Sequence, residues 1–185
     1  MRVIAGSARH LNLIAPEGMG TRPTLDREKE TLFNVLGPRI IGQSFLDLFS
    51  GSGQIAIEAL SRGCESAVLV ENTKEALECI RINLEKTKLS ELAKVINKDV
   101  LVALNELKEH EPFGYVFMDP PYNKDLEKQV LQRLKELSLV DEDSVIVVEA
   151  SNETEFDYLS DMGYQIIKEK VYKTNKHVFI ELIGE

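Results

Sequence analysis

The chain has 185 residues, 43% of them hydrophobic, and a net charge of −9, which is enough apolar content for one domain with a sizeable core. It has no run of about eighteen apolar residues and no charged-then-apolar leader, so neither a membrane span nor a secretory signal is expected and the reading is a cytoplasmic protein. Its acidity excludes indiscriminate nucleic-acid binding, which draws its affinity mainly from neutralised phosphates. Cys64 and Cys79 have no Cys or His at metal-ligand spacing, so reduced thiols are expected, with no metal site and no disulfide framework.

In chain order, "RVIAGSARHLNLI" reads as two short strands around Gly6-Ser7, a hairpin. "TLDREKETLFNVLG" reads as a helix: Leu25, Leu32 and Leu36 share a face with Phe33, Thr24 or Asp26 caps the start, and Gly37-Pro38 ends it. Then follow strand Phe45 to Leu48, helix Gln54 to Arg62, strand Ala67 to Glu71, helix Lys74 to Lys86, strand Lys94 to Asn97 and helix Val100 to Lys108. Strand Tyr115 to Met118, helix Lys124 to Leu137, strand Val145 to Glu149 and helix Thr154 to Met162 continue the alternation. Two strands, Tyr164 to Tyr172 and His177 to Leu182, close the chain around "KTNK".

Five βα units in succession imply a parallel sheet with helices on both faces, and two adjacent closing strands force one antiparallel strand. The expected fold is α/β and Rossmann-like: a seven-stranded, mostly parallel sheet, preceded by a small N-terminal β-hairpin and helix. One boundary is drawn near residues 40–44, separating an N-terminal extension, 1–40, from a Rossmann-like domain, 41–185. Residues 1–40 carry a charge of +2 while the remainder carries −11, so any contact with a polyanion is expected from the extension and is expected to be selective.

In such sheets ligands bind beyond the carboxyl ends of the strands, where strand order reverses. "LDLFSGSGQIAIEAL" ends a strand on Asp47, turns through Gly51-Ser52-Gly53 and enters a helix. Glycines there permit positive φ and close backbone approach, and the helix start offers free amides. A lone Gly-x-Gly is equally compatible with a plain connecting turn. Glu71, twenty residues after Gly51, can accept hydrogen bonds from ribose hydroxyls, which a dinucleotide and S-adenosylmethionine both offer. Asp99 can place a carboxylate, and the Asp99-Val100 step a backbone amide, at the edge of an adenine; Asp is also an ordinary helix N-cap.

"FGYVFMDPPYN" separates the remaining readings. A hydride-transfer enzyme needs a substrate-holding region and an acid/base near the nicotinamide; none of the three histidines stands at a strand carboxyl end in the first half of the sheet. Asp119-Pro120-Pro121-Tyr122 instead suits an exocyclic amine of a nucleobase. Such an amine is a poor nucleophile until acceptors hold its protons. Asp119 can accept one N–H and the Pro120 carbonyl the other, prolines fix φ and donate no N–H, and Tyr122 offers a stacking face worth about 1–3 kcal/mol per base. The segment reads as an acceptor pair with a stacking platform, arranged for in-line attack on a sulfonium methyl.

"FLDLFSGSGQIAIEALSRG" and "FMDPPYN" resemble the cofactor- and amine-binding motifs of class I amino-methyltransferases, and "RVIAGSARHLNLIAP" with "TRPTLDREKETLFNVL" resembles the opening hairpin and first helix of the RsmD family. The likeness runs over nearly the whole chain, and Arg-Pro-Thr-x-Asp-Arg is its most family-specific part. The family's hairpin commonly reads Gly-Gly and then Arg-Gly or Lys-Gly where this chain has Ala5-Gly6 and Arg9-His10. The resemblance implies a class I methyltransferase fold and methyl transfer from S-adenosyl-L-methionine to the N2 amine of a guanine in small-subunit (16S) ribosomal RNA, without a metal or covalent intermediate. It implies that Asp47, Phe49, Gly51, Gly53, Glu71, Asn72, Asp99 and Val100 hold the cofactor, and that Asp119, Pro120, Pro121 and Tyr122 hold the guanine. Arg9, Arg22, Thr24 and Arg27 are expected at the site mouth, against RNA phosphates or the cofactor carboxylate; the alternative for the last three is a solvated helix start with pairs such as Asp26 with Lys29. The expected partner is ribosomal RNA in an assembled or assembling ribonucleoprotein particle, met by a monomer. Methylation of adenine N6 in DNA and a non-catalytic nucleotide-binding assembly module are the alternatives.

Overall fold

The computed structural model describes residues 1–16, 26–122 and 124–184. Its centre is one seven-stranded sheet in the order β3-β2-β1-β4-β5-β7-β6, built from β1 (Ser44–Leu48), β2 (Ser66–Glu71), β3 (Ala93–Asn97), β4 (Tyr115–Met118), β5 (Val145–Ser151), β6 (Tyr164–Val171) and β7 (Asn175–Leu182). The helices are α1 (Asp26–Leu36), α2 (Gln54–Ser61), α3 (Lys74–Thr87), α4 (Val100–Glu106) and α5 (Leu126–Glu136). Neighbours from β3 through β5 run parallel, and β7 is antiparallel to both β5 and β6. The single reversed strand follows from the closing hairpin, and the architecture is the expected Rossmann-like one.

Strand side chains alternate between two apolar layers, as a pleat of period two requires. Leu46, Leu48, Val68, Val70, Val116, Met118, Ile146 and Val148 pack with α4 and α5. Phe45, Ala67, Leu69, Tyr115, Phe117, Val147 and Phe179 pack with α1, α2, α3 and the N-terminal segment. Cys64 and Cys79 are buried and free, as the sequence led us to expect.

Two expected elements differ. Residues 1–16 form a hairpin closed by one antiparallel bridge, Arg2 with Asn12, rather than two paired strands. The reason is competition from α2: Ile4 N and Ala5 N donate to the Glu58 carboxylate, Ser7 N to the Ser61 carbonyl and Ala8 N to Ser61 Oγ. The contact is so close that a Cβ on Gly6 would lie 1.6 Å from the Ser61 carbonyl oxygen. The helix expected from Thr154 to Met162 is only a 3₁₀ turn, Ser160–Met162. Phe156 and Leu159 are the apolar residues it buries, and a segment this short needs a larger packed face to hold a helix.

Candidate active site

Strand order reverses between β1 and β4, so the crevice opens beyond Leu48 and Met118, which are register partners. One step past Leu48 and Met118, Asn97, Glu71, Phe49, Asp119, Glu149 and His177 form a row across β3, β2, β1, β4, β5 and β7. Asp47, Glu71, Asp119, Glu149 and His177 stand two residues from Phe45, Leu69, Phe117, Val147 and Phe179, and so face the layer that contains α1, α2 and α3.

The glycine turn behaves as its composition predicts. Gly51 has φ +54° and Gly53 φ +76°, values that cost other residues roughly 1–2 kcal/mol. Their reasons differ. A Cβ on Gly53 would come 3.1 Å from Leu69 and 3.3 Å from Ile80, whereas one on Gly51 would meet nothing of the chain within 4 Å. Gly53 is required by packing, and Gly51 presents its bare backbone to the crevice. Phe49 also has a positive φ, 63°, backbone strain of the kind that gathers at ligand sites.

Three carboxylates shape this half of the crevice. Asp47, 1% exposed, accepts from Ala56 N at 3.1 Å and so ties the first turn of α2 to β1. Burial pushes its pKa up to about 8, with Glu71 and Asp119 adding to the effect. Glu71 reaches back to the turn, Oε2 accepting from Gly51 N at 2.9 Å while Oε1 accepts from the amides of Asn72 and Thr73 and from Thr73 Oγ1. Oε2 keeps a lone pair for one further donor. Asp99 caps α4, Oδ1 accepting from Leu101 N at 3.0 Å; this fulfils the N-cap alternative and leaves Oδ2 unused among the described residues. Val100, buried, carries the first amide of that helix.

In the other half, Pro120 is buried, Pro121 exposed and Tyr122 43% exposed. Asp119 is half-buried at the end of β4. Burial first, and Glu149 second, push its pKa up to about 7. Tyr122 is pushed up to about 12 by burial and by Glu149, Asp119 and Glu28.

Residues 1–181 match the protein family described as "Conserved hypothetical protein 95". YlbH of Bacillus subtilis (strain 168) is 40% identical over 156 residues, 84% of this chain and 85% of its own. Ribosomal RNA small subunit methyltransferase D of Haemophilus influenzae is 36% identical over 171 residues, 92% of this chain and 88% of its own. The chain belongs to the RsmD family. The solved structure of yhhF from Escherichia coli, another similar chain, superposes with a TM-score of 0.85 at 30% identity, covering 100% of this chain and 99% of that one.

Within this RsmD-family chain, the crevice brings together Asp47, Phe49, Gly51, Gly53, Glu71 and Asn72 on one side and Asp119, Pro120, Pro121 and Tyr122 on the other. Asp99 and Val100 follow β3 at its edge. Arg9 and Arg27 are exposed and line one cavity of about 390 Å³ with Arg2, His10, Asp26 and Glu30; Arg22 and Thr24 lie outside the described residues. The Asp26–Lys29 pair does not form. Asp26 pairs with Arg2 at 2.9 Å, and Lys29, wholly buried, faces Glu58 at 3.4 Å.

Sequence reasoning missed a second set. Glu149, 7% exposed, accepts from Asn175 Nδ2 at 2.9 Å and lies 3.2 Å from His177 Nε2. His177 Nδ1 lies 3.3 Å from the Tyr172 hydroxyl, and its ring meets Phe117 edge-on at 6.1 Å. Buried Glu28 of α1 acts electrostatically on both Tyr122 and Tyr172. The signal was available in part: an antiparallel last strand returns its own start to the carboxyl edge of the parallel strands, and that start holds Asn175 and His177.

Proposed function

We propose that this protein transfers a methyl group from S-adenosyl-L-methionine to the exocyclic N2 amine of a guanine in small-subunit ribosomal RNA. The observation that carries the reading is the juxtaposition, across the β1/β4 switch point, of the open backbone at Gly51 and the Glu71 carboxylate with the Asp119-Pro120-Pro121-Tyr122 segment.

The residues present fit the cofactor. Gly51 leaves room for close approach, Glu71 Oε2 has acceptor capacity for a ribose hydroxyl, and Gln54 Oε1, buried at the start of α2, has no hydrogen-bond partner among the described residues. The crevice is rich in carboxylates, which favours a ligand carrying a sulfonium and an ammonium. Phe49, Asn72, Asp99 and Val100 complete the adenosine side, and Asp47 acts by holding the first turn of α2. S-adenosylmethionine supplies an electrophilic methyl group.

The chain's own part is to hold the amine. Asp119 and the Pro120 carbonyl accept its two N–H groups, turning the nitrogen lone pair out of the ring, while Tyr122 and Pro121 support the base. The Asp119 carboxylate, with buried Glu149 behind it, favours a base edge with adjacent donors, the N1–H and N2–H of guanine, over adenine, whose unprotonated N1 stands beside its amine. Arg9 and Arg27, exposed on the N-terminal segment and α1, meet RNA phosphates. A chain so acidic overall needs a local basic patch and a folded ribonucleoprotein surface to select its target.

The test is transfer of a labelled methyl group to small-subunit particles from cells lacking the gene, followed by mass mapping of the RNA. One methylated guanine N2 is expected, with at least a 10²-fold loss of rate in Asp119→Ala at near-unchanged cofactor affinity. Methylated adenine, or normal turnover by Asp119→Ala, would overturn the reading.

A further inference from the structure

Asp119 directly follows β4 and Glu149 lies near the end of the adjacent parallel strand β5, with Met118 and Val148 as register partners just before them, and both face the α1–α3 side of the sheet. Neighbouring strands stand about 4.8 Å apart, so two carboxylates share one corner of the crevice. Among the described residues no Lys or Arg pairs with either of them. Glu149 is instead fixed from its far side: Asn175 Nδ2 donates to Oε1 at 2.9 Å, and His177 Nε2 lies 3.2 Å from Oε2. His177 is 0% exposed and packs against Phe117. In the tautomer with its proton on Nε2, His177 donates to Glu149 and its Nδ1 accepts from the Tyr172 hydroxyl. Every described donor to the Glu149 carboxylate thus comes from β7, the strand on the side away from Asp119.

We propose that Glu149, clamped by Asn175 and His177, is a positioning residue that acts through Asp119, keeping Asp119 basic enough to take the proton released when the base amine is methylated. The inference rests on the reading that Asp119 holds that amine. The chemistry balances. As the nitrogen–methyl bond forms, the carbon–sulfur pair stays on sulfur and the nitrogen carries one proton too many. That proton passes to an Asp119 oxygen, the N–H pair remaining on nitrogen, and leaves to solvent after the product departs.

An isolated carboxylate, with an ordinary pKa near 3.9, is a weak acceptor at neutral pH, and proton transfer is most effective when the acceptor's pKa lies near the working pH. A fixed negative neighbour in a half-buried corner supplies that adjustment without touching the substrate. Among the described residues, the groups around the pair are Asp47 from β1, Tyr122 from the segment after β4, His177 and Asn175 from β7 and Tyr172 from the turn before β7, with Glu28 of α1 beyond the two tyrosines.

The experiment is the pH dependence of single-turnover methyl transfer from about pH 5.5 to about pH 8.5 for wild type, Glu149→Gln and Asp119→Asn. Binding of S-adenosylhomocysteine and circular dichroism serve as controls for folding. Wild type should show an acid limb near neutrality; Glu149→Gln, almost isosteric, should move that limb down by about one pH unit or more and lower the plateau rate at unchanged cofactor affinity. A limb present in wild type but unmoved in a folded Glu149→Gln would overturn the role of Glu149 alone. A wild-type profile with no limb, or one retained in Asp119→Asn, would overturn the assignment of Asp119 beneath it. If Glu149→Gln does not fold, Asn175→Ala removes one clamp with the charge intact and must shift the same limb; an unmoved limb there overturns the clamp.

Discussion

Replacing Glu58 with Gln removes the charge that compensates a lysine in the core. Both side chains of the Lys29–Glu58 pair are 0% exposed, with Nζ 3.4 Å from Oε2. The same carboxylate accepts from Ile4 N at 2.8 Å, Ala5 N at 3.0 Å and Arg62 Nε at 2.7 Å. An amide offers one acceptor oxygen in place of two, so donors that share the carboxylate lose their partner, and Lys29 keeps the Arg2 carbonyl alone as an acceptor. Removing one member of a buried pair costs about 3–5 kcal/mol because the other charge stays desolvated. For a chain of this length that is a fall in Tm of about 10 °C. Urea denaturation of Glu58→Gln, Lys29→Met and the double variant forms the cycle. Glu58→Gln should lose the full amount and the double variant should recover much of it, since neither charge is then buried. Because residues 1–16 hang on this carboxylate, the KM for the RNA substrate should rise while cofactor affinity holds. A loss below about 1 kcal/mol, or strictly additive single variants, would refute the reasoning.

The glycine turn separates packing from ligand approach. Gly53→Ala should cost about 1–3 kcal/mol in denaturant melts through strain and its clash with Leu69 and Ile80. Gly51→Ala should cost only about 1 kcal/mol yet weaken S-adenosylhomocysteine binding at least 10-fold by calorimetry; unchanged affinity would contradict the close approach assigned to it. Asp47 gives a pH prediction. Its folded pKa, about 8, lies above the ordinary carboxylate value, so the folded state holds the proton more tightly than the unfolded chain. Its stabilising effect is complete below about pH 4 and is lost as pH rises towards about 8. Asp47→Asn keeps an acceptor for Ala56 N and cannot ionise, so its Tm should exceed that of wild type by a few °C at pH 9 and not at pH 4; a gap independent of pH would count against this.

Period-two apolar runs and the alternation of strand and helix placed β1 to β5 and α1 to α5 to within a few residues, because a buried parallel strand and an amphipathic helix declare themselves locally. The crevice motifs were legible for the same reason: Gly51, Gly53 and Asp119-Pro120-Pro121-Tyr122 are short contiguous segments at strand ends. The N-terminal strands and the helix at 154–162 were not, since their fate turned on distant competitors. Glu58 and Ser61 of α2 take the amides that a hairpin ladder would have used, and Phe156 with Leu159 offer too little apolar face to hold a helix.

By itself, the sequence determined the βα order, the single reversed strand, the glycine turn and the Asp119-Pro120-Pro121-Tyr122 segment at the end of β4. Only the tertiary structure decided that Asp26 turns to Arg2 and Lys29 to Glu58, that Asp47 holds α2, and that Glu149, Asn175, His177 and Tyr172 stand beside Asp119. Those contacts join residues far apart in the chain, and strand register brings them together. A carboxylate's neighbours across a sheet are set by which strands pair and in what alignment, which no local pattern of residues records.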